Sequence, residues 1–125
     1  MTECNPAEDE SQSSRILWRA GKFSWDLDDT ALVMAILNVT PDSFSDGGLH
    51  LDLGDTVAAA RRFIEEGADI LDVGGESTRP GAAEVCLGDE ISRVIPVIKK
   101  LVSNEAVAVS IDTCKAEVAA AGLAA

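Results

Sequence analysis

The chain has 125 residues and carries 22 acidic against 10 basic side chains, which gives a net charge of −12 at pH 7. Nucleic acid binding needs clustered Lys and Arg to contact phosphates, so this balance argues against a nucleic acid partner. A hydrophobic content of 46% is typical of a globular protein. No apolar run approaches the ~20 residues that span a bilayer, which argues against a membrane protein.

The first 14 residues are polar and acidic, and we expect them to form a disordered tail. They hold neither the basic nor the apolar region of a secretory signal, so a cytoplasmic protein is expected. Cys4, Cys86 and Cys114 show neither metal-ligand spacing nor a disulfide framework, and we interpret them as reduced thiols without a role. His50 is the single histidine, which argues against a His-based metal site.

The segment from Arg15 to Leu27 partly alternates apolar and polar residues about Ala20-Gly21, which predicts a short β-hairpin. The pattern leaves two interpretations of its aromatic side chains open. They cover the amino end of a barrel, or they form the buried face of a surface hairpin. The aromatic residues are Trp18, Phe23 and Trp25.

Three apolar stretches each run directly into polar residues, which predicts strands that are buried on both faces of a parallel sheet. We place the strand ends at Asn38, Gly74 and Asp112, which are 36 and 38 residues apart. This spacing predicts a repeating βα unit. In such sheets the polar residues that follow the strands collect at the carboxyl edge, where α/β enzymes place their sites.

The intervening segments carry helical patterns. Asp55 is a suitable N-cap for a first helix through Glu66, with Gly67 at the C′ position. A second helix carries an apolar stripe with Pro96 inside it, which predicts a kink or a shifted start. A third, alanine-rich helix from Lys115 to Ala121 is expected to be capped by Asp112 or Thr113. The stripe of the second helix consists of Ile91, Val94, Ile95, Ile98, Leu101 and Val102.

Three adjacent βα units cannot close a sheet, and a (β/α)₈ barrel needs about 250 residues. We therefore predict an α/β fold that is the N-terminal part of a TIM (β/α)₈ barrel, with about three βα units after an N-terminal β-hairpin. Residues 15–125 are interpreted as one incomplete domain. Its last strand would leave an exposed apolar edge.

Side chains at the strand ends offer specific chemistry, each with a structural alternative. Asn38 is a candidate oxygen ligand for Mg²⁺ or a turn-capping residue. Arg79, in the loop from Gly75 to Gly81, suits an anionic ligand, and a plain loop is equally compatible. Asp112 is an ordinary N-cap or an acceptor for a ring N–H. Asp72 lies inside an apolar strand and must either find a hydrogen-bond donor, which we expect outside this chain, or take up a proton.

Three segments of this chain match, in order and spacing, the motifs of dihydropteroate synthase, the folate-pathway enzyme inhibited by sulfonamides. The segments are Ile36–Gly48 (ILNVTPDSFSDGG), Gly67–Gly81 (GADILDVGGESTRPG) and Val109–Thr113 (VSIDT). The chain resembles this family from about residue 15 to residue 125. The resemblance implies a TIM barrel that condenses 6-hydroxymethyl-7,8-dihydropterin diphosphate with 4-aminobenzoate, giving 7,8-dihydropteroate and pyrophosphate.

The resemblance also implies roles for individual residues. Asn38 corresponds to the residue that holds Mg²⁺ and the leaving pyrophosphate, and Asp112 to one that contacts the pterin. Asn38, Arg79 and Asp112 are therefore the predicted catalytic residues, with Asn38 as the metal ligand. The segments Thr40–Gly48 and Glu76–Gly81 correspond to two mobile loops over the site. The predicted substrate-binding residues are Thr40, Pro41, Asp42, Phe44, Ser45, Thr78, Arg79, Pro80 and Asp112.

Family members usually form homodimers through helices that this chain does not contain, and they draw further site residues from later strands. The chain alone is therefore expected to be inactive. One alternative interpretation is a truncated, non-catalytic half-barrel. A second is the pterin-binding domain of a methyltetrahydrofolate:corrinoid methyltransferase. The loop from Asn38 to Gly48 argues against the second, because that reaction has no diphosphate leaving group to hold.

Overall fold

The computed structural model describes residues 15–40 and 52–125. It divides the chain into two units, of which the first ends at Ala31 and the second runs from Leu32 to Ala125. The tail predicted at residues 1–14 lies outside the described residues, as does the stretch 41–51. The single incomplete domain expected from residue 15 onwards stays a prediction.

The first unit contains the predicted hairpin, formed by strands β1 (Leu17–Ala20) and β2 (Phe23–Asp26). The strands are antiparallel, and Ala20 pairs with Phe23 across a two-residue turn. Gly21 has a positive φ of 56°, which suits the first central position of a type II′ turn. Trp25 stacks on Trp18 and Phe23, with ring centroids 5.1 and 5.7 Å apart. The aromatic residues thus pack on one another within the hairpin.

The second unit is built on a three-stranded parallel sheet with the order β3-β4-β5. The strands are β3 (Met34–Asn38), β4 (Ile70–Gly74) and β5 (Ala108–Asp112). All three predicted strand ends are confirmed. The first strand starts at Met34, two residues after the apolar run begins, and the third starts two residues after Ala106.

Helices α1 (Leu53–Glu65), α2 (Leu87–Asn104) and α3 (Ala116–Ala124) follow the three strands. The predicted cap of α1 is wrong, because the helix begins one turn earlier at the N-cap Asp52. The Asp52 carboxylate accepts a hydrogen bond of 2.7 Å from the Gly54 N–H. Asp55 instead lies in the first turn, where a negative charge favours the helix dipole.

The expectations for the other two helices were also partly wrong. Helix α2 continues through Pro96, which is nine residues after its first residue, so Pro96 does not set where the helix begins, and the kink stays a prediction. The N-cap of α3 is Lys115 rather than Asp112 or Thr113. The Thr113 hydroxyl accepts a hydrogen bond from the Lys115 N–H (3.1 Å), so it orders the residue before the helix without capping it.

The three helices and one face of the sheet share a single hydrophobic core. Leu37 is only 2% exposed in this core, whereas its neighbour Ile36 is 65% exposed. This difference follows from the alternation of side chains between the two faces of a strand. Buried core residues include Leu37, Leu71, Val73, Ala60, Val94, Leu101 and Val118.

The opposite side of the sheet, which we call the open face, consists of three rows of paired residues. The rows are Met34-Ile70-Ala108, Ile36-Asp72-Ser110 and Asn38-Gly74-Asp112. The shared core lies on the other face; on this face Ile36, Asn38 and Asp112 are exposed, whereas Ile70 and Ala108 of the first row are buried. Among the described residues, no helix is long and apolar enough to cross a membrane.

Candidate active site

The carboxyl-edge row of the open face brings two predicted site residues together. Asn38 pairs with Gly74, and Gly74 pairs with Asp112, so Asn38 and Asp112 are two strands apart. Two strand spacings correspond to about 10 Å between their Cα atoms. Both side chains are exposed, and neither makes a hydrogen bond within the described residues.

Gly74, which has no side chain, lies between Asn38 and Asp112 in this row. A Cβ atom at Gly74 would lie 3.5 Å from the Cβ and Oδ2 atoms of Asp112, which is ordinary van der Waals contact. The Asp112 carboxylate therefore lies beside Gly74 rather than pointing away from the row. A planar group placed over Gly74 would meet the Asn38 amide on one side and the Asp112 carboxylate on the other.

The loop after β4 carries the third predicted catalytic residue, Arg79. The Ser77 hydroxyl accepts a hydrogen bond from the Arg79 N–H (3.3 Å), and the Arg79 carbonyl accepts one from the Ala82 N–H (3.1 Å). Thr78, Arg79 and Pro80 are exposed. In the described ranges 15–40 and 52–125, the guanidinium of Arg79 has no hydrogen-bond or ion-pair partner. It is therefore available to an anion.

The next row of the open face contains a hydrogen-bonded pair. The Ser110 hydroxyl donates to the Asp72 carboxylate from the adjacent strand, where the two residues pair directly. The expectation that the donor for Asp72 lies outside this chain is therefore wrong. The sequence spacing could have predicted this pair, because the 38 residues that separate the strand ends Gly74 and Asp112 also separate Asp72 from Ser110.

A buried ion-pair network lies behind the strand ends, on the side of helix α2. Glu90 of α2 is fully buried, and its carboxylate accepts hydrogen bonds from Thr113 Oγ1 (2.6 Å) and Lys115 Nζ (2.8 Å). Lys115 Nζ also donates to Glu76 Oε2 (2.9 Å). The Glu76 Oε1 atom in turn accepts from the Val85 N–H (3.3 Å). We call Glu76, Glu90 and Lys115 the carboxylate–lysine network.

The network holds Lys115 and Glu76 in their charged forms. Hydrogen bonds to Glu90 and then to Glu76 raise the pKa of Lys115 well above its ordinary range. The hydrogen bond from Lys115, followed by that from the Val85 N–H, lowers the pKa of Glu76. The Lys115 ammonium and the Glu76 carboxylate are therefore both charged at neutral pH.

Comparison with known proteins identifies the family of this chain. A family model described as pterin binding enzyme matches residues 34–125, which include all three parallel strands and all three helices. The chain belongs to the pterin-binding enzyme family. The resemblance drawn from the three sequence motifs is thereby confirmed.

Individual relatives in this family are dihydropteroate synthases. The enzyme of Escherichia coli (strain K12) is 59% identical over 86 residues, which cover 69% of this chain and 30% of that protein. A structure of Xanthomonas albilineans dihydropteroate synthase with 4-aminobenzoic acid is 56% identical with a TM-score of 0.72 and covers 77% of this chain and 36% of that chain. A structure of the Yersinia pestis enzyme with a sulfonamide drug complex is 47% identical in sequence, with a TM-score of 0.76. The match covers 86% of this chain and 38% of the Yersinia pestis chain.

The chain thus spans about a third of the length of these pterin-binding relatives. Their fold is the TIM barrel, so the three βα units described here form part of such a barrel, as predicted. The open face corresponds to the barrel interior, because the helices of a TIM barrel form its outer ring.

The donor set at the carboxyl edge fits one mode of magnesium binding. Among the described residues, no group of three His, Cys, Asp or Glu side chains is arranged to hold a metal ion. Mg²⁺, however, commonly keeps several waters and takes one or two protein oxygens together with substrate phosphates. The exposed amide of Asn38 suits that mode, since it is not engaged by another side chain in the described residues.

The remaining predicted site residues are only partly placed. Thr40 is buried at 5% exposure, two residues after the end of β3. Its neighbour Val39 donates an N–H to the Gly74 carbonyl (2.7 Å), which extends the pairing beyond the strand end. The predictions for Pro41, Asp42, Phe44 and Ser45 fall outside the described residues.

Sequence reasoning missed Glu90 and Lys115. Glu90 lies on the buried side of α2 with Val94, Val97 and Leu101, at intervals of four, three and four residues. A carboxylate at helical spacing on an apolar stripe must have a partner, so the sequence could have predicted that Glu90 forms a buried hydrogen bond or ion pair. Nothing in the sequence named Lys115 as that partner, because it is 25 residues away.

Proposed function

We propose that this chain forms part of a dihydropteroate synthase, which condenses 6-hydroxymethyl-7,8-dihydropterin diphosphate with 4-aminobenzoate. The observation that carries the proposal is the row Asn38-Gly74-Asp112 at the carboxyl edge, and the loop after β4 adds the available guanidinium of Arg79. Membership in the pterin-binding family supports the same substrate class. The aligned segment is only about a third of the named relatives, so the activity is proposed for a completed barrel.

The reaction replaces a C–O bond with a C–N bond. The bond between the pterin methylene carbon and the diphosphate oxygen breaks, and pyrophosphate leaves with the electron pair. The amine nitrogen of 4-aminobenzoate attacks the methylene carbon and then loses a proton to solvent. Because the charge develops on the leaving group, the site needs positive charge beside the diphosphate and acceptors beside the pterin.

Arg79 and Asp112 supply these two needs in the proposal. The guanidinium of Arg79 carries donors in a planar fork that matches phosphate oxygens, and it has no competing partner among the described side chains. The Asp112 carboxylate, at the end of β5, accepts hydrogen bonds from amino or ring N–H groups of the pterin. Separate strand ends therefore serve the two halves of one substrate.

We propose that Asn38 holds Mg²⁺ together with the diphosphate. When bound, Mg²⁺ would neutralise charge on the leaving pyrophosphate. The uncharged amide of Asn38 suits this position, because it supplies a ligand oxygen without repelling the phosphate oxygens. Asp112, two strands away, keeps its negative charge apart from the diphosphate.

The two loops are proposed to complete the substrate contacts and to exclude water, which would compete with the amine. The contacts assigned to them remain those implied by the family resemblance. The residues concerned are Thr40, Pro41, Asp42, Phe44 and Ser45 in the first loop, and Thr78, Arg79 and Pro80 in the second. We further propose that the complete enzyme is a cytoplasmic homodimer.

A chimaeric enzyme tests this proposal. Residues 34–125 replace the corresponding part of the Escherichia coli relative, which is 59% identical over 86 residues, and dihydropteroate formation is measured with Mg²⁺. We expect product from the chimaera and a loss of about 100-fold in kcat/KM in Asn38→Ala, because a ligand at the developing charge is removed. Asn38→Asp, which retains a ligand oxygen, should lose less.

The control is Asp55→Asn on the exposed surface of α1, which should leave the rate unchanged. A folded chimaera that forms no product, or an Asn38→Ala variant with the parent rate, would contradict the proposal. The 125-residue chain alone is expected to form no product, since it spans about a third of its relatives. Product from that chain would show that the open face can be completed by self-association.

A further inference from the structure

The carboxylate–lysine network joins the two segments that carry Arg79 and Asp112. Glu90 binds Thr113 and Lys115, both of which directly follow the strand that ends at Asp112. Lys115 continues the network to Glu76, which lies three residues before Arg79. Helix α2 therefore holds the chain after β4 and the chain after β5 through one buried carboxylate.

Glu76 also closes the base of the loop that carries Arg79. Its Oε2 atom accepts from Lys115, while its Oε1 atom accepts from the Val85 N–H at the far end of the loop. The Arg93 guanidinium adds a second attachment from α2, since it donates to the Gly75 carbonyl (3.0 Å). The two ends of the loop are therefore fixed, while Arg79 near its middle is exposed.

Energetics favour a positioning role over a purely stabilising one. A buried ion pair often contributes little net stability, because removing both charges from water offsets their attraction. What the network does provide is a fixed geometry, since each carboxylate oxygen has its own donor.

We infer that Glu76, Glu90 and Lys115 are positioning residues that fix the Arg79 loop relative to Asp112, so that one substrate can contact both. The inference rests on the proposed function for the identity of that substrate. None of the three residues needs to touch the substrate, because each acts through the backbone segments that it attaches. The loop is thereby held at its base before any ligand arrives.

Two measurements on the full chain test the inference. The first is amide hydrogen exchange of residues 76–85 in the parent chain, in Glu76→Gln and in Glu90→Gln. An amide offers one acceptor oxygen where the carboxylate offers two, and that oxygen should keep the stronger bond from the Lys115 ammonium, so Glu76→Gln loses the bond from the Val85 N–H. We expect the Val85 amide to exchange about tenfold faster, with the β4 amides unchanged after correction for global stability.

The second measurement is the affinity for inorganic pyrophosphate with Mg²⁺, by calorimetry. We expect Arg79→Ala to abolish binding and Glu76→Gln to weaken it about tenfold, in line with the effect of outer-shell partners. Glu90→Gln should weaken it similarly. Glu105→Gln is the matched control, because it removes an ion pair of 2.8 Å with Arg61 before the start of β5.

The outcomes distinguish a failure of the positioning role from a failure of the proposed function. Unchanged exchange at residues 76–85 in both Glu76→Gln and Glu90→Gln would overturn the positioning role, whatever the binding result. A lower urea midpoint with unchanged pyrophosphate affinity would reduce the network to a structural one. If Arg79→Ala leaves pyrophosphate binding intact, or the parent chain does not bind it, the proposed function loses its anion site. The exchange result would still decide the positioning role.

Discussion

The two faces of the parallel sheet are built by alternate residues of the same strands, yet they serve different purposes. On the covered face, Leu37, Leu71 and Val73 pack against the helices and are almost completely buried. On the open face, Asn38, Asp112 and the pair Asp72–Ser110 present polar groups. Neighbouring residues of one strand are therefore subject to separate demands, stability on one side and chemistry on the other. Substitutions at neighbouring positions should reveal this division.

The largest effect on stability is expected from Leu37→Ala. Leu37 is 2% exposed and lies in the core beside Leu71 and Val73. Its truncation removes buried apolar surface and leaves a cavity, which costs about 2–5 kcal/mol. Urea unfolding followed by circular dichroism measures the loss. A cost below about 1 kcal/mol would mean that the site collapses around the cavity and that the covered face is not tightly packed.

The next largest effect is expected from Gly75→Ala. A Cβ atom at Gly75 would lie 2.8 Å from Val94 Cγ1 and 3.1 Å from Glu90 Cγ, so these side chains or helix α2 would have to shift. Overpacking of this kind costs about 1–3 kcal/mol. Gly74→Ala is the matched control, because its Cβ would face Asp112 at 3.5 Å and cause no clash. Equal destabilisation by the two variants would contradict the difference between the faces.

A smaller effect is expected from Ser110→Ala on the open face. The Ser110 hydroxyl is the donor for the Asp72 carboxylate, and its loss should cost about 1 kcal/mol. The cost stays modest because Asp72 is only partly buried and water can replace the hydroxyl. Ser103→Ala, which removes an exposed hydroxyl bonded to the Lys99 carbonyl, is the control and should change stability by less than about 0.5 kcal/mol.

Much of the sheet could be predicted because its signal is local. Each strand end is marked by the change from apolar to polar residues, and Asn38, Gly74 and Asp112 were placed correctly. The cap of α1 was placed wrongly because Asp52 and Asp55 are both suitable capping residues. Only the backbone geometry decides between them, since Asp52 has the extended conformation of an N-cap.

The site could be predicted only where one residue carries the signal. Asn38, Arg79 and Asp112 stand out at strand ends or in a polar loop, and family motifs include them. The carboxylate–lysine network was missed because its bonds join residues 25 and 39 positions apart. Those contacts depend on where α2 packs, which no short pattern specifies. The pairing of Asp72 with Ser110, by contrast, could have been predicted from the strand register, because each residue lies two positions before its strand end.

The network predicts a pH dependence that is confined to acid. The pKa of Glu76 is lowered from its ordinary value of 4.5, so its contribution to stability is present above that pH and is lost as the pH falls below it. The pKa of Lys115 is raised, so its contribution persists through the acid range and is lost only at strongly alkaline pH. The stability difference between the parent chain and Glu76→Gln should therefore shrink between pH 5 and pH 3. A difference that stays constant to pH 3 would show that Glu76 gains nothing from Lys115.

The smallest effect on stability is expected from Ile36→Thr. Ile36 is the sequence neighbour of Leu37, where the largest effect is expected. Ile36 is 65% exposed on the open face, and Thr retains the branched Cβ that suits a strand. The free energy of unfolding should change by less than about 0.5 kcal/mol. The chain should nevertheless self-associate less in sedimentation experiments, because Met34 and Ile36 form an exposed apolar stripe on an edge strand. If Ile36→Thr instead costs as much as Leu37→Ala, the open face must already be covered in solution by a second copy of the chain. The division of roles between the two faces would then fail in that assembled form.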